Sequence, residues 1–450
     1  MVNKKEKAMI KEGFLIGAST AAHQVEGNNI HSDYWAMEHM ATGGFNEPSG
    51  DAVDHYNRYE EDIKMMADAG LNAYRFSIEW ARIEPEQGQY DESEIEHYRK
   101  VIKCCLKNGI EPVVTMHHFT SPKWLISKGG WENPEVVDWF ANYCKYVIEQ
   151  LGEDINYVCT INEANMRIQV AAIAERFKRQ MMARMAAMKA AAAQQAPAEG
   201  EKKESLEGVA QVGMNFDAMM AGQQKQAEEN MAVFGTEKLN TFVSPCTPEG
   251  DEIVKKAHVA AREAMKSVKP ALKVGITLSL HDIQVQPGGE ANAEKEYQEE
   301  FGHYIDMLKD DDFFGLQNYT RSIIGADGIV PSPEGTPMTQ MDYENYPQAL
   351  EHVIRRVHDE LPNIPIMITE NGIGIGDDEI RQEFIKVAMQ GVKNCVDDGI
   401  NVIGYCHWSL MDNFEWQKGY MMTFGLCAVD RATQKRYPKP SLALLGSYAK

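Results

Sequence analysis

Eight times along this 450-residue chain a short apolar run is followed by an amphipathic stretch of helical length, and no other feature constrains the fold as strongly. The runs fall at 14–17, 72–78, 111–117, 155–161, 273–278, 313–317, 364–369 and 401–407. The helices expected behind them fall at 54–69, 92–107, 134–150, 251–267, 293–309, 347–360, 377–397 and 439–449. In the first helix Tyr56, Tyr59, Ile63, Met66 and Ala67 share one side, and Gly70 supplies the stop. Strict alternation means a parallel sheet covered by helices, and eight units are the number that closes an α/β fold into a (β/α)8 TIM barrel. The competing open, doubly wound sheet would carry a glycine-rich phosphate turn after its first strand. Gly17-Ala-Ser-Thr-Ala has no such pattern. Residues 1–450 are therefore expected to form a single barrel domain.

One stretch breaks the rhythm. Over 170–240 the composition shifts to Ala, Met, Gln, Lys and Glu, with nine methionines between 166 and 231. Phe177, Met181, Met185 and Met188 fall on one helical face, 195–204 reads as a polar turn, and Met214, Phe216, Met219 and Met220 lie beyond it. Two helices inserted after the fourth strand are expected. They leave a strand tip on the barrel's open face, where they could cover its mouth; a decorative insertion or a subunit contact is the plainer alternative.

Charge and cysteine usage narrow the partners. With 67 acidic and 45 basic residues the net charge is −22, which argues against a nucleic-acid backbone or an anionic membrane as the main partner. No apolar run has the length of a spanning helix, and Met1–Ala8 leads into a strand instead of a signal-peptide core, so a cytoplasmic protein is expected. The eight cysteines show no Cys-x-x-Cys spacing and read as reduced core residues, without zinc or disulfides.

In a barrel all strand tips open on one end, so residues far apart in sequence converge there. Glu370 closes the apolar run of Ile364, Ile366, Met367 and Ile368. Glu163 closes that of Ile155, Tyr157, Val158 and Ile161. Gln24, Arg75, His118, Gln317 and Trp408 come at other tips. A carboxylate at the end of a buried strand is poorly solvated and rigidly aimed, which suits a nucleophile or base; one alone could equally be a helix cap or a loop acid. Two such glutamates are the minimum equipment for glycoside hydrolysis: one keeps its proton for the leaving oxygen, the other attacks the anomeric carbon. Carboxyls about 5–5.5 Å apart would retain the anomeric configuration, and about 6.5–9.5 Å would invert it; sequence leaves that open. Around the pair stand aromatic faces for a pyranose (Trp408, Trp416, Phe119, Phe424) and hydrogen-bonding groups for its hydroxyls (Gln24, His118, Asn162, Glu415). Arg75 beside a carboxylate would keep it ionised. His117, Trp80, Trp131 and Trp139 read as packing.

Six stretches, in this order, resemble the motifs of glycoside hydrolase family 1: Phe14–Gly27, Asn72–Arg82, Thr115–Leu125, Thr160–Glu163, Ile368–Gly372 and Trp408–Trp416. The resemblance covers the chain except about 170–240. It implies a retaining β-glycosidase with Glu370 as nucleophile and Glu163 as acid/base. By the same match Gln24, His118, Asn162, Glu415 and Trp416 hold the glycone, Trp408 floors it, and Tyr319 and Arg75 orient Glu370. No metal or organic cofactor is implied. Ala164 stands where the family usually has Pro, and Gln317 where it usually has Asn. Members that cleave 6-phosphorylated sugars resemble one another in offering Ser, Lys and Tyr where this chain has Glu415, Met422 and Phe424; an anionic Glu415 would repel a phosphate. The expectation is an exo-acting β-glucosidase taking an unphosphorylated small-molecule β-glycoside, with a bulky apolar leaving group under the insertion and homo-oligomerisation left open. A catalytically silent sugar-binding barrel and a transglycosylase are the rival readings.

Overall fold

Seven-residue or shorter apolar runs cannot shield their own backbone, so each must lie between neighbours that pair it on both edges and helices that cover it. The computed structural model describes residues 10–176, 178–179, 182 and 216–449, without the side chains of 216–221, and in it all eight runs have become parallel strands. They are β1 (Leu15–Ser19), β2 (Ala73–Ser77), β3 (Glu111–His117), β4 (Tyr157–Ile161), β5 (Lys273–Gly275 with Thr277–Ser279), β6 (Phe314–Gln317), β7 (Ile366–Asn371) and β8 (Val402–Trp408). Ladders run unbroken from β1 to β4 and from β6 through β8 back to β1. β5 closes the ring. Its first half pairs with β4 and its second half with β6, the change of partner falling at Ile276.

The helices that follow these strands are α1 (His55–Ala69), α2 (Glu92–Lys107), α3 (Val136–Leu151), α4 (Pro248–Val268), α5 (Glu290–Glu300), α6 (Ala349–Glu360), α7 (Asp378–Asp397) and α8 (Pro440–Gly446). Gly70 caps α1 at φ 101°, with its N–H on the carbonyls of Met66 and Ala67. One expected helix is shorter than its pattern. The stretch 293–309 breaks after Glu300, and two short turns, Gly302–Tyr304 and Ile305–Leu308, replace its second half. The buried Glu300 carboxylate is turned inward to accept from the His281 N–H at 3.2 Å and from Arg356 at 3.3 Å, which a continued helix face would not allow.

Beyond β4 the backbone is helical from 166 to 176, and a helix Phe216–Phe234 returns to the barrel. Glu229 on that helix accepts from the backbone N–H groups of Ala41 (2.7 Å) and Thr42 (2.9 Å) and from the Thr42 hydroxyl (2.6 Å). Phe234 is buried under the Lys123 ammonium, 5.9 Å from its ring centre. The methionine face through Phe177, Met181, Met185 and Met188, the turn 195–204, Met214, and the side chains of Phe216, Met219 and Met220 lie outside the described residues. A three-stranded sheet (282–285, 321–325, 328–329) and a hairpin (Cys427–Asp430 with Lys435–Pro438) sit beside the ring. All eight cysteines are free thiols, six of them buried. Among the described residues no helix is long and apolar enough to cross a membrane.

Candidate active site

The chain leaves each strand tip by a local distortion, and three of these distortions aim the groups of interest. β7 slips register between Ile368 and Glu370 against β6 and between Ile368 and Asn371 against β8, an irregularity that re-aims the Glu370 side chain. Past it, a Cβ on Gly372 would stand 1.9 Å from the Trp408 carbonyl oxygen, so only glycine lets this tip lie against β8. Glu163 follows β4 in the left-handed region, φ 44°, as do Phe119 (69°) and Trp416 (48°). Such backbone costs of order 1–3 kcal/mol each and persists where surrounding bonds over-determine it. For Glu163 the bonds come from Thr277, at the point where β5 changes partner. Its hydroxyl accepts the Glu163 N–H (2.8 Å), and its carbonyl accepts the Ala164 N–H (3.0 Å). A proline at 164 could not make the second bond.

Below the tips, Arg75 lies in the middle of β2, inside the barrel instead of at the strand end where its sequence context put it, and has no exposed surface. One guanidinium nitrogen donates to Glu370 Oε1 at 2.5 Å and the other to Asn162 Oδ1 at 2.5 Å. Tyr319 donates to Glu370 Oε2 at 2.6 Å. Gln317 donates to Asn162 Oδ1 at 2.7 Å, which leaves the Asn162 amide N–H groups for His118 Nε2, at 3.2 Å, and for the space above.

That space is a cavity of about 300 Å³ at the carboxyl ends of the strands. Glu163 and Glu370 both line it, together with His118, Asn162, Tyr319, Trp408, Glu415, Trp416 and Phe424. Two of the expected site residues do not line it. Arg75 acts from underneath, and Gln24 is fully buried behind the β1/β8 end, donating to the Phe414 carbonyl at 2.7 Å and to Glu415 at 3.4 Å. The Trp416 indole stacks on His23 and His118, and Trp408 on His118. His117 is a core residue, as are Trp80 and Trp131, whose indole N–H groups reach Glu84 and Ser121.

Electrostatics divides the two glutamates. Burial raises the pKa of both carboxyls. For Glu370 the Arg75 guanidinium and the Tyr319 hydroxyl pull against burial and hold the anion. For Glu163 the Glu370 charge adds to burial, the Ser279 hydroxyl and the more distant Arg75 oppose it weakly, and its pKa is pushed up to about 8. One proton is thus held on Glu163 and one charge on Glu370 at neutral pH. Burial and the Glu370 charge also push Glu415 up to about 8, against the anionic form that its sequence context suggested. Among the described residues no Lys or Arg lines the cavity. Burial drives His118 well below the ordinary imidazole value.

Sequence reasoning passed over His281, Tyr343, Met166, Val243 and Met341, which complete the cavity wall. Val243, Met341 and Tyr343 stand in loops without period, and Met166 opens the helical stretch after β4. His281 follows the β5 run immediately, and the strand-tip rule that selected Glu163 and Glu370 would have found it. Among the described residues no group of three or more His, Cys, Asp or Glu is placed to hold a metal ion.

The sequence profile of Glycosyl hydrolase family 1 matches residues 6–449. The chain is 29% identical to β-glucosidase A of Thermotoga maritima, over 96% of this chain and 95% of that one. It is 28% identical to a 6-phospho-β-galactosidase of Leptotrichia buccalis, over 96% of both. The crystal structure of a β-glycosidase, BGL167, superposes with a TM-score of 0.83 at 41% identity, covering 98% of this chain and 96% of that one. A closed eight-stranded barrel, two buried glutamates in different electrostatic surroundings at its mouth and a family match over almost every residue make this chain a glycoside hydrolase of family 1.

Proposed function

We propose that the chain is a retaining exo-β-glycosidase, foremost a β-glucosidase, that releases one unphosphorylated sugar through a glycosyl-enzyme intermediate. The observation that carries this reading is the shared cavity in which Glu163 keeps a proton while Arg75 and Tyr319 hold Glu370 ionised. Glu163 donates that proton to the glycosidic oxygen as the Glu370 carboxylate forms a bond to the anomeric carbon and the leaving group departs as an alcohol. The ester carries no charge. One of the causes that raised Glu163 is then gone, its pKa falls, and as a carboxylate it takes a proton from the water that breaks the ester. Asn162, His118, Glu415 and Trp416 hold the glycone, Trp408 and Phe424 supply apolar faces, and fully buried Gln24 supports Glu415 from behind and closes that end, which suits removal of terminal units.

The relatives include both glucosidases and a phospho-galactosidase. The cation-free glycone end favours a neutral sugar. A panel of nitrophenyl β-D-glucoside, galactoside, fucoside and 6-phosphoglucoside, with the anomer of the first-formed sugar followed by NMR, tests the proposal. Rapid cleavage of the glucoside with the β-anomer appearing first is expected. Preference for the phosphorylated sugar, or the α-anomer first, would sink it.

A further inference from the structure

His281 stands just past the end of β5, on the far side of the ring from β1 and Gln24. Of the glycone-holding groups, Trp408, Glu415 and Trp416 come from β8 and its loop and His118 and Asn162 from the tips of β3 and β4, while Glu163, which protonates the leaving oxygen, follows Asn162 at β4, next to β5. Ser279, at the end of that strand and two residues before His281, acts on the Glu163 carboxyl and lowers its pKa slightly against burial. A leaving group extending outward from Glu163 therefore meets His281.

The imidazole is built into the wall. Its side chain is 38% exposed and lines the cavity. Nδ1 is held by the buried Glu300 carboxylate at 3.0 Å, and the backbone N–H of His281 bonds the same carboxylate at 3.2 Å. The ring is thereby fixed with Nδ1 occupied, and Nε2 has no partner among the described residues. The charges around it are accounted for one by one. Glu300 from α5 is already balanced by Arg356 from α6 at 3.3 Å; Glu296 from α5 is balanced by Arg176 at 2.9 Å; Asp282, next in the chain, is taken by His352 at 2.8 Å. A proton on His281 is thus shared with a Glu300 that Arg356 already partly neutralises, so the positive charge of the ring is only partly cancelled. Met166 and Val243 line the same cavity and offer apolar surface for an aromatic ring.

We propose that His281 selects the leaving group: its Nε2–H binds the carboxylate of an aromatic acid whose phenolic oxygen carries the sugar. The proposal rests on the glycosidase reading above and deepens it by naming the leaving-group class. Burial works against charge on His281, but the Glu300 hydrogen bond and charge outweigh it, and the pKa lies above the ordinary imidazole value.

The test compares kcat/KM for two β-glucosides that differ by one negative charge, that of 4-hydroxybenzoate and that of its methyl ester. The ratio of acid to ester in the wild type should exceed that in His281→Gln by about three- to tenfold, the range of a partly solvated charge contact. Each substrate's own reactivity cancels in this comparison, as does any general loss of activity in the variant. A second measurement needs no variant. The wild-type ratio should fall as pH rises through the imidazole titration, because Glu163, Glu370 and Glu415 act on both substrates alike. His281→Arg, cationic throughout, should keep a high ratio and lose that pH dependence. Equal ratios in wild type and His281→Gln, or a wild-type ratio flat with pH, would overturn the proposal. Cleavage of neither glucoside, nor of the nitrophenyl glucoside, would remove the reading beneath it and the proposal as well.

Discussion

Arg75 spans Glu370 and Asn162 from below, so the charge of the Glu370 carboxylate, the proposed nucleophile, and the orientation of an amide above it depend on one buried guanidinium. Removing either glutamate should therefore abolish turnover by different routes. Glu370→Gly leaves no nucleophile, and kcat is expected to drop by about four orders of magnitude or more at unchanged circular dichroism. Glu163→Ala removes only the proton donor. Dinitrophenyl glucosides, whose leaving groups need no proton, should form the glycosyl-enzyme with an unchanged burst while phenyl glucosides lose about 10²–10⁴ in kcat/KM. The pH profile follows from the same residues. Activity needs Glu163 protonated, so it falls as pH rises through about 8; it needs Glu370 ionised, so it also falls as pH drops through the Glu370 titration. Tyr319→Phe takes away one donor to the Glu370 anion, which raises its pKa. The acid limb of kcat/KM should move to higher pH in that variant, with kcat lower by about 10–100-fold.

At the scale of elements, the ring was legible because its eight strands are covered on both faces and so read as unbroken apolar runs, while each helix shows one apolar side. Where the pattern misled, a polar side chain had been drawn inside: Glu300, facing His281 and Arg356, ends α5 nine residues before its expected limit at 309. The two departures from the family pattern, Ala164 and Gln317, were legible as departures but not as partners. Both reach Thr277, through the Ala164 N–H and the Gln317 amide at 3.2 Å, and no sequence signal pairs a strand break at 276 with a turn after 161. Thr277→Val should accordingly weaken catalysis through Glu163, lowering kcat more than it raises KM, and Ala164→Pro should do the same by losing the bond to the Thr277 carbonyl; a change confined to KM would contradict this. The returning helix Phe216–Phe234 has its own attachment. Glu229→Ala breaks three bonds to Ala41 and Thr42, and hydrogen exchange over 39–42 and 222–234 should rise with little change in Tm.

Over the whole molecule, the last hairpin ties the chain's end to its beginning. Arg436 donates to both oxygens of Asp62 on α1, at 2.7 and 2.9 Å, across 374 residues of sequence, and Asp62 in turn holds His55, which bonds Tyr74 on β2. Burial opposes the Asp62 charge, but Arg436 and His55 prevail and its pKa is lowered. Such a group contributes stability above its unfolded pKa of about 3.9, and that contribution is lost as pH falls through the lower folded value. Arg436→Gln leaves the carboxylate buried without its cation, which costs about 3–5 kcal/mol; Tm should fall and acid unfolding should begin at a higher pH than in the wild type. The seam at β5 has a different consequence. Groups spread from His118 to Phe424 share a working space only when both halves of that strand have found their separate neighbours. An arc of seven strands possesses every reactive atom and performs no reaction, so a refolding sample should regain helical signal well before its first turnover.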